Sequence, residues 1–433
     1  MRWRAHAAGG VGNNTYTFWS SDGKEEAGEQ KGPLPTWDWT PREPGKYRVK
    51  VVARDKIGNT ADSGWSPEFR IERVAGEESL IAVMPAQNLT GMALPVKEFK
   101  GSFVDAMKSK GLRVLGEDAL ENFMEKHRVR YTGGLTSELG EAFLVETGVD
   151  AVLFLSMELY DDTVPPKTAL VARLVSTGKK TAVLWMDSAA MAGNDAPGFL
   201  LLGLINDPRV LWGKAKDRVV NSLTAYLSGK TPREVRKAEK KFRPKSFLGI
   251  PPKPPDREET FSVAVLPFRN DSTRRNAGEI LALLFVKELS KREDIDVVEP
   301  GEVIQTLLRS RTIMEGGLSL PQADILKVVL DVDLVLTGIV MEYQDYIGGW
   351  GFPKVEFSTR VFDMKTRQIV WSSSSYNQGD DGVFFFNLGK VNTAQGMASG
   401  MARSVVEGMD ALMEGVAGQM AGAAPPVSRG KYP

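Results

Sequence analysis

Two long segments of this chain repeat each other. The sequence IAVMPAQNLT at 81–90 returns as VAVLPFRNDS at 263–272, and VDAVLFLSMELY at 149–160 returns as VDLVLTGIVMEY at 332–343. The first pair lies 182 residues apart and the second 183, so the internal spacing is kept. A period of this length is far beyond that of solenoid repeats, so each copy is expected to enclose its own core. The chain therefore contains a duplicated domain.

Both copies predict the same succession of elements. A buried strand is followed by an amphipathic helix, a second strand, two short helices and a third strand. Two more strands follow, of which the final one is expected to end at Trp185 or Trp371, and then a closing helix near 208–228 or 392–417. This βαβαβββα order predicts a mixed sheet with helices packed on it in each copy.

The first 75 residues have a different pattern of short strands separated by turn signals, as in TYTFW at 15–19 and KYRVKVVARD at 46–55. The stretch from Thr40 to Asn59 resembles the Pro-Gly-x-Tyr strand of immunoglobulin-like domains of extracytoplasmic proteins. Trp37 and Trp39 alternate in a predicted strand, where they could stack on a sugar, although core packing is the commoner use of such a pair.

We therefore predict a multidomain protein, an all-β immunoglobulin-like sandwich followed by two homologous α/β mixed-sheet domains. Its parts are expected to be the sandwich at 1–75, the first copy at 78–230, a basic and proline-rich linker at 231–258, the second copy at 259–420 and a disordered tail at 421–433. The copies could pair as an internal pseudo-dimer. Lys and Arg in the linker could touch anionic lipid headgroups, or the segment could be a solvated helix.

The composition excludes several classes of function. The 55 basic and 55 acidic residues balance, which argues against a dedicated nucleic-acid binder. Cysteine is absent and the only histidines are His6 and His127, so thiolate and multi-histidine metal sites are excluded and no cofactor is predicted. No apolar run is long enough to span a bilayer. The first ten residues lack the apolar core of a signal peptide, and a leader before Met1 is one expectation.

Catalytic candidates are few. The acidic pairs Asp161-Asp162 and Asp380-Asp381 fall in predicted loops without a recognisable base, metal spacing or nucleophile beside them. His127 lies near a helix end and has no histidine counterpart in the second copy. The chain is therefore predicted not to be an enzyme, with an unrecognised hydrolase kept as an alternative.

An Asn-x-Thr/Ser sequence follows the first strand of each copy, as Asn88-Leu89-Thr90 and Asn270-Asp271-Ser272. The carboxyl end of a central strand is a common place for a ligand. Asn and Thr or Ser in a loop more often turn the backbone and cap the next helix. Both interpretations stay open.

Aromatic residues between glycines mark two loops of the second copy as candidate partner-binding sites, because rigid aromatics on loops are good interface anchors. The alternative is that they fold over the sheet edge as a small satellite core. The candidates are Tyr346, Trp350, Phe352, Phe384, Phe385 and Phe386.

The repeated unit, (I/V)AV(M/L)P with a nearby Asn-x-(Thr/Ser) and later strands ending in Trp, resembles the curli-secretion (CsgG-like) lipoprotein superfamily. TolB N-terminal domains and outer-membrane lipoproteins that activate cell-wall synthases are similar. The resemblance implies a non-enzymatic, periplasm-facing scaffold or accessory protein of a bacterial envelope, although the lipid-bearing cysteine is missing. Its expected partners are envelope or outer-membrane proteins, with self-association and peripheral membrane or peptidoglycan contact as further expectations. A carbohydrate- or peptidoglycan-binding protein is the alternative.

Overall fold

The computed structural model describes residues 2–21, 26–38, 45–71, 75–196, 203–230, 239–250, 260–292, 294–310, 320–348, 351–383 and 389–422. They form two compact units, Met1–Val74 and Ala75–Pro433.

The N-terminal unit is built from strands. Strands β2, β3, β5, β6 and β7 form one sheet, and β1 pairs with β4 in another. Phe18 and Trp37 pack across the core with ring centroids 5.6 Å apart, and Trp3 lies 5.3 Å from Phe69. An immunoglobulin-like topology stays a prediction. The strands are β1 (Arg2–Arg4), β2 (Thr15–Ser21), β3 (Glu26–Gly32), β4 (Thr36–Asp38), β5 (Gly45–Arg54), β6 (Thr60–Asp62) and β7 (Phe69–Ile71).

The first copy is one mixed sheet in the order β10-β8-β11-β12-β13, with the short β9 beside β11. Strands β10, β8 and β11 run parallel because helices cross between them, whereas β11, β12 and β13 are antiparallel. Its elements are β8 (Leu80–Val83), β9 (Gln87–Asn88), α1 (Val96–Ser109), β10 (Arg113–Val114), α2 (Glu117–Lys126), α3 (Ser137–Thr147), β11 (Ala151–Asp161), β12 (Lys167–Ser176), β13 (Val183–Ala192) and α4 (Pro208–Leu227).

The second copy repeats this order and adds one strand. Its sheet runs β14-β20-β19-β18-β15-β17, with β16 beside β18. Its elements are β14 (Ser246–Gly249), β15 (Phe261–Val265), β16 (Arg269–Asn270), α5 (Ala277–Leu289), β17 (Ile295–Val297), α6 (Pro300–Arg309), α7 (Leu320–Leu330), β18 (Leu334–Gln344), β19 (Lys354–Asp363), β20 (Gln368–Gln378) and α8 (Ala394–Gly422).

The duplication holds at the level of single residues. The third strand of each copy shifts register at the same place, between Met157 and Leu159 in β11 and between Val340 and Glu342 in β18. Glu158 and Met341 are therefore equivalent bulge positions. The predicted mixed sheets with packed helices are confirmed.

Part of the predicted linker belongs to the second sheet. Strand β14 pairs antiparallel with β20, and Phe242 just before it is buried against Gly400 of α8. A Cβ at Gly400 would lie 2.6 Å from the Phe242 ring, so the small residue is needed for this contact. Residues 231–238 and 251–259 of the linker and 423–433 of the predicted tail lie outside the described residues.

The two copies share one compact unit, as the pseudo-dimer expectation requires. In the first copy, α1 and α4 cover one face of the sheet. The opposite face contributes Val171 and Met186 to the same apolar core as Phe285 of α5 and Met401 of α8. One copy thus presents a sheet and the other presents helices. The pairing is head to tail, with different surfaces used by each copy.

Candidate functional site

Both Asn-x-Thr/Ser sequences form the same turn. The side-chain oxygen of Asn88 accepts hydrogen bonds from the backbone N–H (3.0 Å) and hydroxyl (2.7 Å) of Thr90. Asn270 accepts the same two bonds from Ser272 at 3.1 and 2.6 Å. Each Asn amide nitrogen also donates to a carbonyl four residues later. These contacts support the turn-forming interpretation, and ligand binding stays untested.

The two turns meet at the junction of the copies. The Arg274 guanidinium, next to the second turn, donates to the Thr90 carbonyl in the first turn and to the Glu158 carbonyl. The Asn276 side chain donates to the Leu89 carbonyl at 3.3 Å. Backbone oxygens at the end of the first copy's central strands are therefore satisfied by the second copy.

A buried ion pair joins the copies further along the junction. The Arg173 guanidinium on β12 lies 3.0 Å from the Glu299 carboxylate at the start of α6, with 3% and 0% of the two side chains exposed. Arg173 also donates to the Gly133 carbonyl at 2.7 Å, while Glu299 accepts from the Leu135 backbone N–H at 3.1 Å. Burial raises the pKa of the Glu299 carboxyl, and Arg173 acts in the opposite direction.

Close backbone contact brings these groups together. A Cβ on Gly134 would lie 2.5 Å from the Gly301 Cα, so the Gly133-Gly134 turn of the first copy fits against the N-terminus of α6 only without side chains. The sequence pattern did not single out either partner of the ion pair. Glu299 has no acidic counterpart, since the equivalent residue is Gly116.

Glu158 is a second buried titratable group at the junction. Only 1% of the residue is exposed, and burial raises the pKa of its carboxyl to about 8. Lys287 and Arg274 lower the pKa of Glu158 by less than burial raises it, and the nearby Asp345 carboxyl raises this pKa further. At neutral pH this carboxyl is therefore mostly protonated.

Lys287 on α5 also reaches the first copy. Its ammonium group donates to the Ser188 hydroxyl on β13 at 2.8 Å and to the Ser399 hydroxyl on α8 at 2.6 Å. Burial lowers the pKa of Lys287, while the adjacent Glu288 acts against this. Burial alone would raise the pKa of Glu288, but Lys287, Lys291 and Arg403 hold it at about 2. This cluster is an internal network of paired charges.

Tyr346, a predicted partner-binding residue, lies between the two copies. The Lys167 ammonium of the first copy donates to its carbonyl at 2.7 Å and lies 4.0 Å from its ring centroid. Its hydroxyl donates to Asn392 at 3.1 Å, and Asn392 donates to Asp195 of the first copy at 2.9 Å. The residue thus already has partners within the chain.

Of the other aromatic candidates, Phe352 is half-buried. Trp350, Phe384, Phe385 and Phe386 lie outside the described residues. A partner-binding role for these side chains stays a prediction.

The acidic pairs serve local turns. Asp161 accepts from the Thr163 backbone N–H at 3.0 Å, and Asp381 accepts from the Gln378 backbone N–H at 2.9 Å. Asp162 and Asp380 are exposed. The two pairs occupy non-equivalent loops, after β11 in the first copy and after β20 in the second.

His127 and Trp37 both pack against other side chains of the fold. The His127 ring lies on Phe123 with centroids 4.4 Å apart and contacts the Glu146 carboxylate at 3.0 Å. Trp37 is 4% exposed in the core of the N-terminal unit, so it presents no open sugar-stacking face. Trp39 lies outside the described residues.

Within the part of the chain that the structure describes, no group of three or more His, Asp or Glu side chains could hold a metal ion. The helices of that same part are too short or too polar to cross a membrane.

No protein-family model matches this chain, and no curated protein is similar to it. Several solved structures are similar over limited parts. The PelC dodecamer from Paraburkholderia phytofirmans is 16% identical, covering 37% of this chain and 96% of that chain with a TM-score of 0.24. Lipoprotein GNA1162 from Neisseria meningitidis is 21% identical, covering 34% and 99% with a TM-score of 0.24.

The LpoB C-terminal domain from Escherichia coli is 13% identical, covering 28% of this chain and 87% of that chain with a TM-score of 0.20. These values are too low to define a family for this chain.

Proposed function

We propose that this chain is a non-enzymatic scaffold or accessory protein of the bacterial cell envelope. It would face the periplasm or associate with the outer membrane, where it would bind protein partners in outer-membrane assembly or secretion. The proposal draws its cellular setting from the resemblance of the repeated unit to CsgG-like and TolB N-terminal domains.

The observation that supports a binding role is that buried charged side chains pair across the junction of the two copies. Among the residues that the structure describes, Arg173 and Glu299 are the least exposed ion pair between the copies, and they hold two α/β domains together instead of converging on an open cleft. Charges buried in this way position one domain against another, which suits a scaffold.

Partners would bind at the N-terminal unit and at the aromatic loops of the second copy. Phe352 and Trp350 are the first side chains to substitute, because truncation of a rigid aromatic anchor is costly at protein interfaces. Tyr346 is a poorer test, since its loss would also disturb the junction with Lys167.

The test is chemical crosslinking in intact cells of the organism that encodes the chain, followed by mass spectrometry. We expect crosslinks from 343–352 to envelope proteins, with loss of these crosslinks in Trp350→Ser and Phe352→Ser variants. Val145→Ser on α3 is the matched control, because Val145 is 76% exposed and lies in the first copy. Recovery of the chain with cytoplasmic proteins alone would contradict the proposal.

A further inference from the structure

A groove runs between α1 and α2 of the first copy. Its volume is 960 Å³, and its lining residues all belong to the first copy. Val104 and Met124 form apolar parts of the walls, whereas Glu121 and Glu125 on α2 are exposed at one side. A groove of this size could hold a peptide segment with a large side chain.

The second copy has the same groove between α5 and α6, and there it is filled. Tyr131 from the first copy lies against it, and the cavity that remains is only 20 Å³. Seven of the eight second-copy residues around that cavity have counterparts that line the α1/α2 groove. The chain therefore contains both an occupied and an open form of one binding site.

The filled groove shows what chemistry fits. Tyr131 is half-buried, and burial beside Glu279 raises the pKa of its phenol. It is followed by Thr132-Gly133-Gly134, where small residues let the loop approach α6 closely. The natural occupant is thus an aromatic side chain followed by glycines.

The open groove keeps the apolar floor but differs at its walls. Pro85 and Val104 correspond to Pro267 and Val286, so these positions are unchanged. Gly101 replaces Leu283, and a Cβ built on Gly101 would have nothing within 4 Å. The absence of a side chain here widens the groove. A wider groove can accept a segment that the chain itself does not supply.

The α2 wall is acidic where the α6 wall is apolar. Glu117 and Glu121 stand where the second copy has Pro300 and Ile304. Glu117 is paired with Lys100 at 2.6 Å, whereas Glu121 is exposed. Lys97, Arg128 and Arg130 also line the groove and are exposed, so its charges are mixed and the partner is defined by the apolar surface that accepts an aromatic ring.

We propose that the α1/α2 groove of the first copy is a docking site for a loop of another protein that presents an aromatic side chain followed by glycines. The proposal rests on the protein-binding role inferred above and adds a surface to it. The aromatic ring would lie beside Val104 and Gly101.

A second copy of this chain is a poorer candidate than a separate protein for binding at the α1/α2 groove. A head-to-tail neighbour would place the exposed face of the second sheet over α1 and α4. That face carries Ser358 and Ser372 at the positions of Val171 and Met186, which are buried between the copies. Such a neighbour would bury hydroxyl groups in place of apolar side chains, so a separate partner is favoured.

The test uses the full chain and a fluorescent peptide with the sequence of residues 128–136, RVRYTGGLT, measured by fluorescence anisotropy. We expect saturable binding that is lost when the peptide's tyrosine is replaced by alanine. Gly101→Leu, which supplies the side chain of Leu283, should weaken binding by about tenfold or more.

Gly213→Leu on α4 is the matched control, because its added side chain also meets open space and it lies outside the groove. Its binding should equal that of the original chain. No saturable binding of the peptide, or equal binding by the Gly101→Leu variant, would overturn the proposal. Concentration-dependent association of the chain in sedimentation velocity, abolished by Gly101→Leu, would assign the groove to a second copy and overturn it as well.

The two proposals fail separately. Peptide binding without envelope crosslinks would remove the cellular role and leave the groove. Envelope crosslinks without peptide binding would support the cellular role and overturn the proposal for the groove.

Discussion

Strands β12 and β19 occupy the same place in the two copies but have different surroundings. All ten residues of β12 are buried, whereas β19 alternates between buried and more exposed residues. The difference arises because α5 and α8 of the second copy cover the face of the first sheet. The corresponding residues of β19, such as Ser358 and Arg360, are half-buried or exposed.

This comparison shows that position within the tandem pair, as well as descent from a common domain, decides which residues are buried. The first copy has layers on both faces of its antiparallel strands, and apolar Val171 occupies the covered face. The second copy keeps one face polar, as expected for an antiparallel sheet exposed on one side.

The largest expected effect comes from the equivalent arginines Arg173 and Arg360. Arg173→Ala would leave Glu299 buried without its charged partner, and it should lower the free energy of unfolding by about 3–5 kcal/mol. Arg360→Ala should change it by less than about 0.5 kcal/mol, because Arg360 is exposed. Urea unfolding followed by tryptophan fluorescence measures both. Equal effects would show that the junction is not formed in solution.

The bulge residues Glu158 and Met341 allow the two copies to be compared by the pH dependence of their contributions to stability. Glu158 has a pKa of about 8 when folded, against 4.5 as the ordinary value, so folding takes up a proton between these pH values. Stability from this carboxyl is complete below about pH 4.5 and falls as the pH rises to about 8. The slope is at most about 1.4 kcal/mol per pH unit.

Glu158→Met, which copies the second domain, should flatten this dependence in urea titrations from pH 5 to 8. The reciprocal Met341→Glu variant is the control. Met341 is 38% exposed, so a carboxylate there should add no comparable slope. Glu288, with a pKa of about 2, contributes in a separate window, where stability rises between about pH 2 and 4.5. An unchanged slope in Glu158→Met would show that this carboxyl is solvated.

A smaller effect is expected from exchanging equivalent residues between the covered face of the first sheet and the open face of the second sheet. Val171→Ser removes apolar contacts and places a hydroxyl in a site that is 2% exposed, which should cost about 2 kcal/mol. Ser358→Val at the equivalent position should be close to neutral, since it is half-buried in a more polar surface. Thermal unfolding of both variants tests the pair. A stable Val171→Ser variant would argue that α5 and α8 leave that face.

The sequence was sufficient to predict the order of elements because each copy has its own periodic pattern. The offset between 81–90 and 263–272 placed β8 and β15 correctly. The prediction that the final strands end at Trp185 and Trp371 was wrong, because β13 continues to Ala192 and β20 to Gln378. The burial of β12 also had a signal, because ALVARLV is almost continuously apolar where β19 has the alternating VEFSTRVF.

Other features depended on contacts between distant segments. Ser246–Gly249 looks like part of a linker until β20, more than 120 residues later, provides its pairing partner. The ion pair of Arg173 with Glu299 needs the two copies to be docked before it can be seen. The acidic residue has no equivalent in the first copy, so the repeat pattern gives it no signal.

The smallest expected difference concerns the two equivalent turns. Asn88 and Asn270 make the same hydrogen bonds, but only the Thr90 carbonyl in the first turn also accepts from Arg274 of the other copy. Asn270→Ala should cost about 1 kcal/mol for its lost turn contacts, and Asn88→Ala should cost somewhat more because misplacing Thr90 also weakens the junction. Thermal unfolding compares the two. If Asn88→Ala proved the milder change, Arg274 would hold the first turn in place without help from the asparagine.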